Sequence, residues 1–156
     1  MKKYMSKSVT KKIQNQYDKD FYAWAITNAK LLKQGKISEI DIENIAEEIE
    51  SMGKSEKREL LNRLSVLIAH LMKWKHQAKK RSKSWELTIK EQRFEIADLL
   101  ADSPSLKSEI EKQIAHAYEK ALILAEKETG LAKKIFESEC PFTLKQVLNQ
   151  KYFPEN

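Results

Sequence analysis

Apolar residues recur three and four positions apart along most of the chain, and no stretch shows the sustained alternation of a β-strand. Between about Gln16 and Gln34 they fall on one helical face. Runs with the same period follow over residues 42–52, 55–76, 84–100 and 104–129. Only three glycines and three prolines are available to interrupt these runs. The pattern therefore predicts an all-α protein.

The predicted helix boundaries rest on glycines and capping residues. Gly35, Gly53 and Gly130 each follow an apolar run, at the place where a glycine commonly ends a helix. The predicted N-terminal caps are the segment Ser38-Glu-Ile-Asp41, Ser55, Ser84, Ser103 ahead of Pro104, and Thr143 in a Thr-Leu-Lys-Gln capping box. Because the connections are short, we predict an up-and-down helical bundle of about five helices plus a short C-terminal helix.

The length of 156 residues corresponds to one domain of ordinary size. Residues 1–15 carry five lysines and no acidic residue, which predicts a flexible basic N-terminal arm ahead of a single helical domain at residues 16–156. The single cysteine, Cys140, excludes an internal disulfide and any zinc site built from several cysteines, so we expect a cytoplasmic protein. No run of about 18 apolar residues occurs, and no membrane contact is expected.

The net charge of +6 is concentrated in that arm and in residues 73–93, which carry eight Lys and Arg against two Glu. We call residues 73–93 the basic bend, because they include the predicted connection between two helices. One interpretation is a surface that contacts nucleic acid or an acidic protein partner, through Lys73, Lys75, Lys79, Lys80, Arg81, Lys83, Trp85 and Arg93. The other is a solvated bend that Trp74 and Trp85 anchor on its two sides.

The densest group of carboxylates is Glu47, Glu48 and Glu50, and a helix would turn Glu47 and Glu50 to the same face. Together with His70 these residues could bind a divalent metal ion, the one cofactor that the sequence suggests. The metal ligands would then be Glu47, Glu50 and His70, and the candidate catalytic residues Glu47, Glu48 and His70. The alternatives are a solvated or salt-bridged acidic face, and a His70 that is hydrogen-bonded to a carboxylate beside the core.

Three functions stay open on the residues alone. The first is a non-enzymatic binding module that contacts nucleic acid or an acidic partner through the basic bend. The second is a metal-dependent hydrolase of a phosphorylated substrate, in which Arg63, Arg81 and Arg93 would clamp the phosphate. The third is a helical protein-interaction adaptor with an exposed apolar patch. The sequence has neither a Gly-rich phosphate loop nor a GxSxG motif, which disfavours an enzyme.

Five segments form recognisable blocks: YDKDFYAWAITNAKLLKQG (17–35), IENIAEEIESMGKSEKRELLNRLSVLIAHLMKW (42–74), SWELTIKEQRFEI (84–96), SPSLK (103–107) and CPFTLKQVL (140–148). Together they resemble the bacterial family catalogued as domain of unknown function twenty-nine. The resemblance implies an all-helical single domain. It also implies motif positions at Tyr17, Asp18, Phe21, Trp24, Glu47, Glu48, Glu50, Arg63, His70, Trp74, Ser84, Trp85 and Arg93. The chain departs from the family's KWxxQP pattern, because Ala78 stands where proline is usual.

Overall fold

A computed structural model describes residues 13 and 15–155 of the protein. Most of this part is helical: α1 (Phe21–Lys33), α2 (Ile42–His76), α3 (Lys83–Asp102), α4 (Lys107–Thr129) and α5 (Leu144–Leu148). Residues 15–19 are helical as well, and 3-10 turns lie at Ile37–Glu39, Ala78–Lys80, Pro104–Leu106 and Lys133–Ile135. No strand occurs among the described residues, so the all-α prediction is confirmed.

Contacts within the chain group it into two compact units, Met1–Gly53 and Lys54–Asn156. We refer to them as the N-terminal unit and the C-terminal unit. The single helical domain at residues 16–156 stays a prediction. Of the predicted basic arm, only Ile13 and Asn15 are described, and both are helical; the remaining positions lie outside the described residues. None of the helices that the structure describes combines the length and the apolar character needed to cross a membrane.

The N-terminal unit is organised by a buried polar network at the start of α2. Asp41 precedes this helix and accepts hydrogen bonds from Trp24 Nε1 at 3.0 Å and from the backbone N–H of Asn44 at 3.4 Å. The backbone N–H of Asp41 donates to Asn28 Oδ1, and Asn28 Nδ2 donates to the carbonyl of Trp24, both at 2.9 Å. Asp41 is therefore the N-cap of α2, whereas Ser38 lies in the preceding 3-10 turn.

Helix α2 corrects the predicted boundary between two helices at Gly53 and Ser55, because it continues through both residues to His76. Gly53 does not have the positive φ of a helix-ending glycine, unlike Gly35 at +70° and Gly130 at +72°. Glu, Lys, Met and Leu, which favour helices, flank it on both sides. Their summed propensity outweighs the local cost of a single glycine, so the helix is weakened there and not ended.

The C-terminal unit contains three long helical segments in up, down, up order. Their directions follow from whether the residue numbers of contacting pairs rise together or in opposite senses along two helices. Between α2 and α4, residue 57 contacts 109, residue 62 contacts 120 and residue 73 contacts 128, so these helices run parallel. Between α2 and α3, residue 63 contacts 95 and residue 73 contacts 85, so these helices run antiparallel. The predicted up-and-down arrangement therefore describes this unit.

The main hydrophobic core lies wholly in the C-terminal unit. Leucines and isoleucines of α2 and α3 pack there against a face of α4 that includes Ala117, Ala121 and Ala125. These alanines are fully buried and their small side chains allow the helices to approach closely. The chain after α4 then closes the core with Phe136, Phe142 and Val147.

Several other boundaries follow the sequence, and two differ from it. Gly35 and Gly130 end helices α1 and α4 in the left-handed conformation, and Thr143 forms the predicted capping box with Gln146. The cap of α3 is Ser82, whose Oγ accepts from the backbone N–H of Trp85 at 3.2 Å, and not Ser84 as predicted. The first predicted helix is interrupted at Asp20, whose carboxylate caps α1.

Candidate functional site

The first residue of the basic bend, Lys73, is buried and makes its contacts inside the protein. Its ammonium group forms an ion pair with Glu128 at 2.5 Å and lies 4.4 Å from the centre of the Trp85 ring. Both the carboxylate and the negatively polarised face of the aromatic ring stabilise the positive charge of the ammonium group. Lys73 and one face of Trp85 therefore stabilise the contact between α2, α3 and α4, and do not form part of an open surface.

The carboxylate of Glu137 attaches the end of α2 to the chain after α4, beside the ring contact between His76 and Phe136. Glu137 accepts hydrogen bonds from Lys75 Nζ and from His76 Nε2, the latter at 3.0 Å. Partial burial acts to raise the pKa of Glu137, but the hydrogen bonds from Lys75 and His76 outweigh it and lower the pKa to about 2. Glu137 is consequently ionised at neutral pH, and it compensates the charge of Lys75.

Two arginines of the basic bend stack on aromatic rings of the fold. Arg81 donates from Nε to the carbonyl of Trp74 at 2.8 Å, and its guanidinium lies 5.1 Å from the Trp74 ring centre. The Trp74 ring packs against Phe153 at 4.8 Å between centroids. The guanidinium of Arg93, on α3, lies 5.7 Å from the centre of the same Phe153 ring. These contacts attach the C-terminal residues to the bundle, and they agree with the interpretation of a bend anchored by Trp74 and Trp85.

The basic residues that remain on the surface are fewer than the sequence suggested. Lys83 is exposed but pairs with Glu86 at 3.1 Å. Lys79 and Lys80 are exposed, and in the part of the chain that the structure describes neither has an ion-pair partner. The predicted anion-binding surface therefore retains these two lysines as its most available cations, and binding to nucleic acid stays a prediction.

Of the residues in the proposed metal and catalytic sites, Glu48 and His70 make hydrogen bonds of other kinds. Tyr17 donates to Glu48 Oε1 at 2.5 Å, and this hydrogen bond together with burial raises the pKa of Tyr17 to about 12. Glu47 and Glu50 are exposed, in the N-terminal unit. His70 belongs to the C-terminal unit, and its Nδ1 faces the carbonyl of Val66 at 2.9 Å, not a carboxylate as expected.

Burial lowers the pKa of His70. Among the residues described, no group of three or more His, Cys, Asp or Glu side chains is arranged to hold a metal ion. The arginines of the proposed phosphate clamp are engaged elsewhere as well, because Arg63 pairs with Glu59 at 2.9 Å and with Glu95 at 3.3 Å. The metal-dependent hydrolase therefore gains no support from the geometry.

A groove of about 1240 Å³ lies between α4 and residues 133–144 of the C-terminal unit, and no motif or spacing in the sequence predicts it. We call it the α4 groove. Its apolar lining consists of Ile114, Tyr118, Leu122, Phe136, Phe142 and Leu144. The rim carries the exposed acidic residues Glu111, Glu119 and Glu139, with Lys133 and Lys134 in the turn after α4. The groove thus combines an apolar floor with a charged rim of three acidic and two basic side chains.

The wall of the α4 groove is fixed by hydrogen bonds. The hydroxyl of Tyr118 donates to the backbone carbonyl of Glu137 at 2.5 Å, while the carboxylate of Glu137 binds the end of α2. Cys140 also lines the groove, and burial raises the pKa of its thiol. A protonated thiol contributes apolar surface to the groove and is a poor nucleophile.

The comparisons with known proteins agree with the resemblance seen in the sequence. The family described as "Domain of unknown function DUF29" matches residues 16–153. The chain belongs to the DUF29 family. No curated protein and no solved structure gives a match. Membership of the DUF29 family covers nearly all of the described residues and assigns no function to them.

Several expected DUF29 motif positions have structural contacts. Tyr17, Phe21 and Trp24 form an aromatic cluster with ring centroids 4.8 to 5.8 Å apart. Sequence reasoning missed Asn28, which lies in the N-terminal unit, and Glu137, which lies in the C-terminal unit. The partners of Glu137 lie more than 60 positions away in the sequence. Only Asp41 had a local signal, since it directly precedes an apolar run as an N-cap does.

Replacing Glu137 with glutamine is expected to destabilise the C-terminal unit at neutral pH by about 1 to 2 kcal/mol, a value reduced for solvent screening of a partly exposed group. The pKa of Glu137 lies below its ordinary value of 4.5, so its contribution is complete above pH 4.5 and is lost as the pH falls towards about 2. Urea unfolding of wild type and Glu137→Gln should therefore differ at pH 7 and converge across that window. Glu139→Gln is the matched control, and an equal loss in both variants would contradict the role of Glu137 in attaching the end of α2 to the chain after α4.

Proposed function

We propose that this DUF29 protein is a non-enzymatic protein-interaction module whose α4 groove binds an amphipathic, basic segment of a partner protein. The observation that supports this proposal is the groove itself, with its apolar floor and three acidic side chains on the rim. Its volume of about 1240 Å³ exceeds the roughly 300 to 1,000 Å³ of small-molecule pockets. A peptide or helix that inserts several apolar side chains is the occupant that such a groove accommodates.

The charge of the rim favours a basic occupant. Glu111, Glu119 and Glu139 are exposed, and within the described residues neither Glu111 nor Glu139 forms an ion pair. Lys133 and Lys134 lie together in one turn and so leave the α4 side of the rim acidic. Lysine or arginine side chains of a partner would form ion pairs with the acidic residues of the rim. Apolar side chains of the same partner would pack on the floor of the groove.

A second candidate function is contact with nucleic acid or an acidic partner through the basic bend. The exposure of Lys79 and Lys80 supports it. Two lysines would neutralise about two phosphates and give a salt slope of roughly −1.4 to −1.8, which corresponds to weak, non-specific binding. The groove offers both an apolar floor and charged side chains, whereas the basic bend offers two exposed lysines. We therefore place the protein-interaction module first.

The proposal is tested with a synthetic amphipathic helical peptide of Leu and Lys, and with a Leu and Glu peptide of the same pattern. Fluorescence anisotropy should give at least tenfold tighter binding of the basic peptide. Ala115 is exposed and lines the groove, so Ala115→Trp should weaken that binding at least tenfold by occupying the floor.

The matched control is Ala97→Trp, at an exposed position of α3 outside the groove, which should bind like wild type. Equal binding by Ala115→Trp and Ala97→Trp would exclude the groove as the binding site. Binding of single-stranded DNA that disappears in Lys79→Glu/Lys80→Glu, with no peptide binding, would favour the second candidate.

A further inference from the structure

The charged side chains on the rim of the α4 groove are not evenly distributed along α4. Glu111 lies near the start of this helix and Glu119 near its middle. Lys133 and Lys134 lie in the 3-10 turn that begins four residues after Thr129, the last residue of α4, and this turn contacts α4. The rim is therefore acidic towards the start of α4 and basic towards its end.

The chain after this turn runs back along α4 and carries the third acidic side chain of the rim. The hydroxyl of Tyr118, which stands eleven positions or about 16 Å before the end of α4, donates to the backbone carbonyl of Glu137. Glu139 follows Glu137 by two residues, so it lies within about 7 Å of that level. The carboxylate of Glu137 is compensated by Lys75 and His76 and adds no unpaired charge to the rim.

The rim charges are available to a ligand. Within the part of the chain that the structure describes, Lys133 and Lys134 form no ion pair, and neither do Glu111 and Glu139. Glu119 has only a contact of 3.9 Å with the exposed histidine three positions before it on α4. Opposite charges of a partner would therefore find unpaired side chains at both ends of the groove.

The α4 wall indicates the length of the segment that the groove can hold. Its first and last residues, Glu111 and Leu122, are eleven positions apart, which corresponds to about 16 Å. A bound helix of that length has about three turns. The floor residues Ile114, Tyr118 and Leu122 recur every four positions on one face of α4, so each turn of a bound helix meets an apolar side chain.

We propose that the α4 groove selects a helical segment of about three turns whose charges are segregated, with lysine or arginine in two successive turns and aspartate or glutamate in the third. The basic turns would face the acidic part of the rim, and the acidic turn would face Lys133 and Lys134. A uniformly basic segment would meet two like charges there and bind less tightly. This inference rests on the function proposed for the groove and adds the distribution of charge in the partner.

The test compares two peptides of about fourteen residues that share their apolar positions and have blocked ends. One is the Leu and Lys peptide described above. The other, the segregated peptide, has Glu instead of Lys in its last turn, where the partial negative charge of the helix end adds to the acidic charge. Fluorescence anisotropy should give about fivefold tighter binding of the segregated peptide to the wild-type chain. Acidic residues in the last turn lower the helicity of the free peptide, so they cannot cause this gain through the peptide's own stability.

Reversing the charge at the basic end of the groove should invert this order. In Lys133→Glu/Lys134→Glu the whole rim is acidic, so the Leu and Lys peptide should bind about fivefold tighter than the segregated peptide. The matched control is Lys79→Glu/Lys80→Glu, which makes the same change of charge at exposed lysines outside the groove and should keep the wild-type order. A variant that is merely destabilised would weaken both peptides and would not invert their order.

The outcomes separate this inference from the function on which it rests. If Ala115→Trp blocks the Leu and Lys peptide but both peptides bind the wild-type chain equally, the proposed charge distribution is wrong and the groove remains the binding site. The wild-type order of affinities in Lys133→Glu/Lys134→Glu would also overturn the inference. If neither peptide binds the wild-type chain, both proposals are overturned.

Discussion

Replacing Arg93 with alanine is expected to lower the free energy of unfolding of the C-terminal unit by about 3 to 4 kcal/mol. Arg93 is 1% exposed and donates from Nε to the carbonyl of Val147 at 2.7 Å and from Nη2 to that of Gln146 at 3.3 Å. Both carbonyls lie in the last turn of α5, where no further helical turn can supply N–H donors. Arg93 therefore caps this short helix with a cation at its negative end. Urea unfolding followed by circular dichroism measures the loss.

Arg93→Met separates the two causes of that loss. Methionine refills most of the volume but leaves the carbonyls of Val147 and Gln146 without their donor, so we expect a smaller loss of about 1 to 2 kcal/mol. Burial lowers the pKa of Arg93 to about 10, so it is charged at neutral pH. Arg58→Ala, at an exposed position of α2, is the control. If Arg93→Ala cost no more than Arg58→Ala, Arg93 would not hold the C-terminal segment.

Arg93 is buried, although the sequence analysis placed it on a basic surface, and this difference shows where local charge patterns mislead. Within residues 73–93 the sequence offers eight basic side chains and only two acidic ones, which suggests a surface. Glu128, Glu137 and the carbonyls of residues 146 and 147 compensate Lys73, Lys75 and Arg93, and all of these partners lie more than 50 positions away. A local charge count cannot detect partners that only the tertiary fold supplies.

The helices themselves were largely predictable, because apolar periodicity and caps are local signals. Gly130 and the Thr143 capping box are placed as predicted, whereas Gly53 shows the limit of the method. A glycine ends a helix only when its backbone adopts the left-handed conformation, and the residues around Gly53 favour continuation. Sequence spacing alone does not distinguish these two outcomes.

The α4 groove could not be predicted from periodicity. Its floor residues, such as Tyr118 and Phe142, read as ordinary core positions in the sequence. The groove exists because the chain after Gly130 passes through a 3-10 turn and extended residues before α5, so it does not pack against α4 along its whole length. Such a path is set by Tyr118 and Glu137, whose contacts join distant segments.

Replacing Asp41 with alanine is expected to destabilise the N-terminal unit by about 2 to 4 kcal/mol. The carboxylate is buried and accepts from Trp24 Nε1, from the backbone N–H of Asn44 and from Asn44 Nδ2 at 2.7 Å. Loss of an N-cap costs about 1 kcal/mol, and a buried indole N–H without an acceptor costs about 1 to 3 kcal/mol more. Hydrogen exchange of residues 20–53 should accelerate by at least tenfold, since about 1.4 kcal/mol corresponds to a factor of ten.

Two variants make the Asp41 prediction specific. Asp41→Asn keeps one oxygen acceptor for the helix N-terminus, so it should recover part of the lost protection. Glu43→Ala removes an exposed carboxylate from the first turn of α2, where favourable contact with the helix dipole is worth only about 0.3 to 1 kcal/mol. Equal exchange rates in Asp41→Ala and Glu43→Ala would mean that charge near the helix end, and not the buried network with Trp24 and Asn28, stabilises the unit.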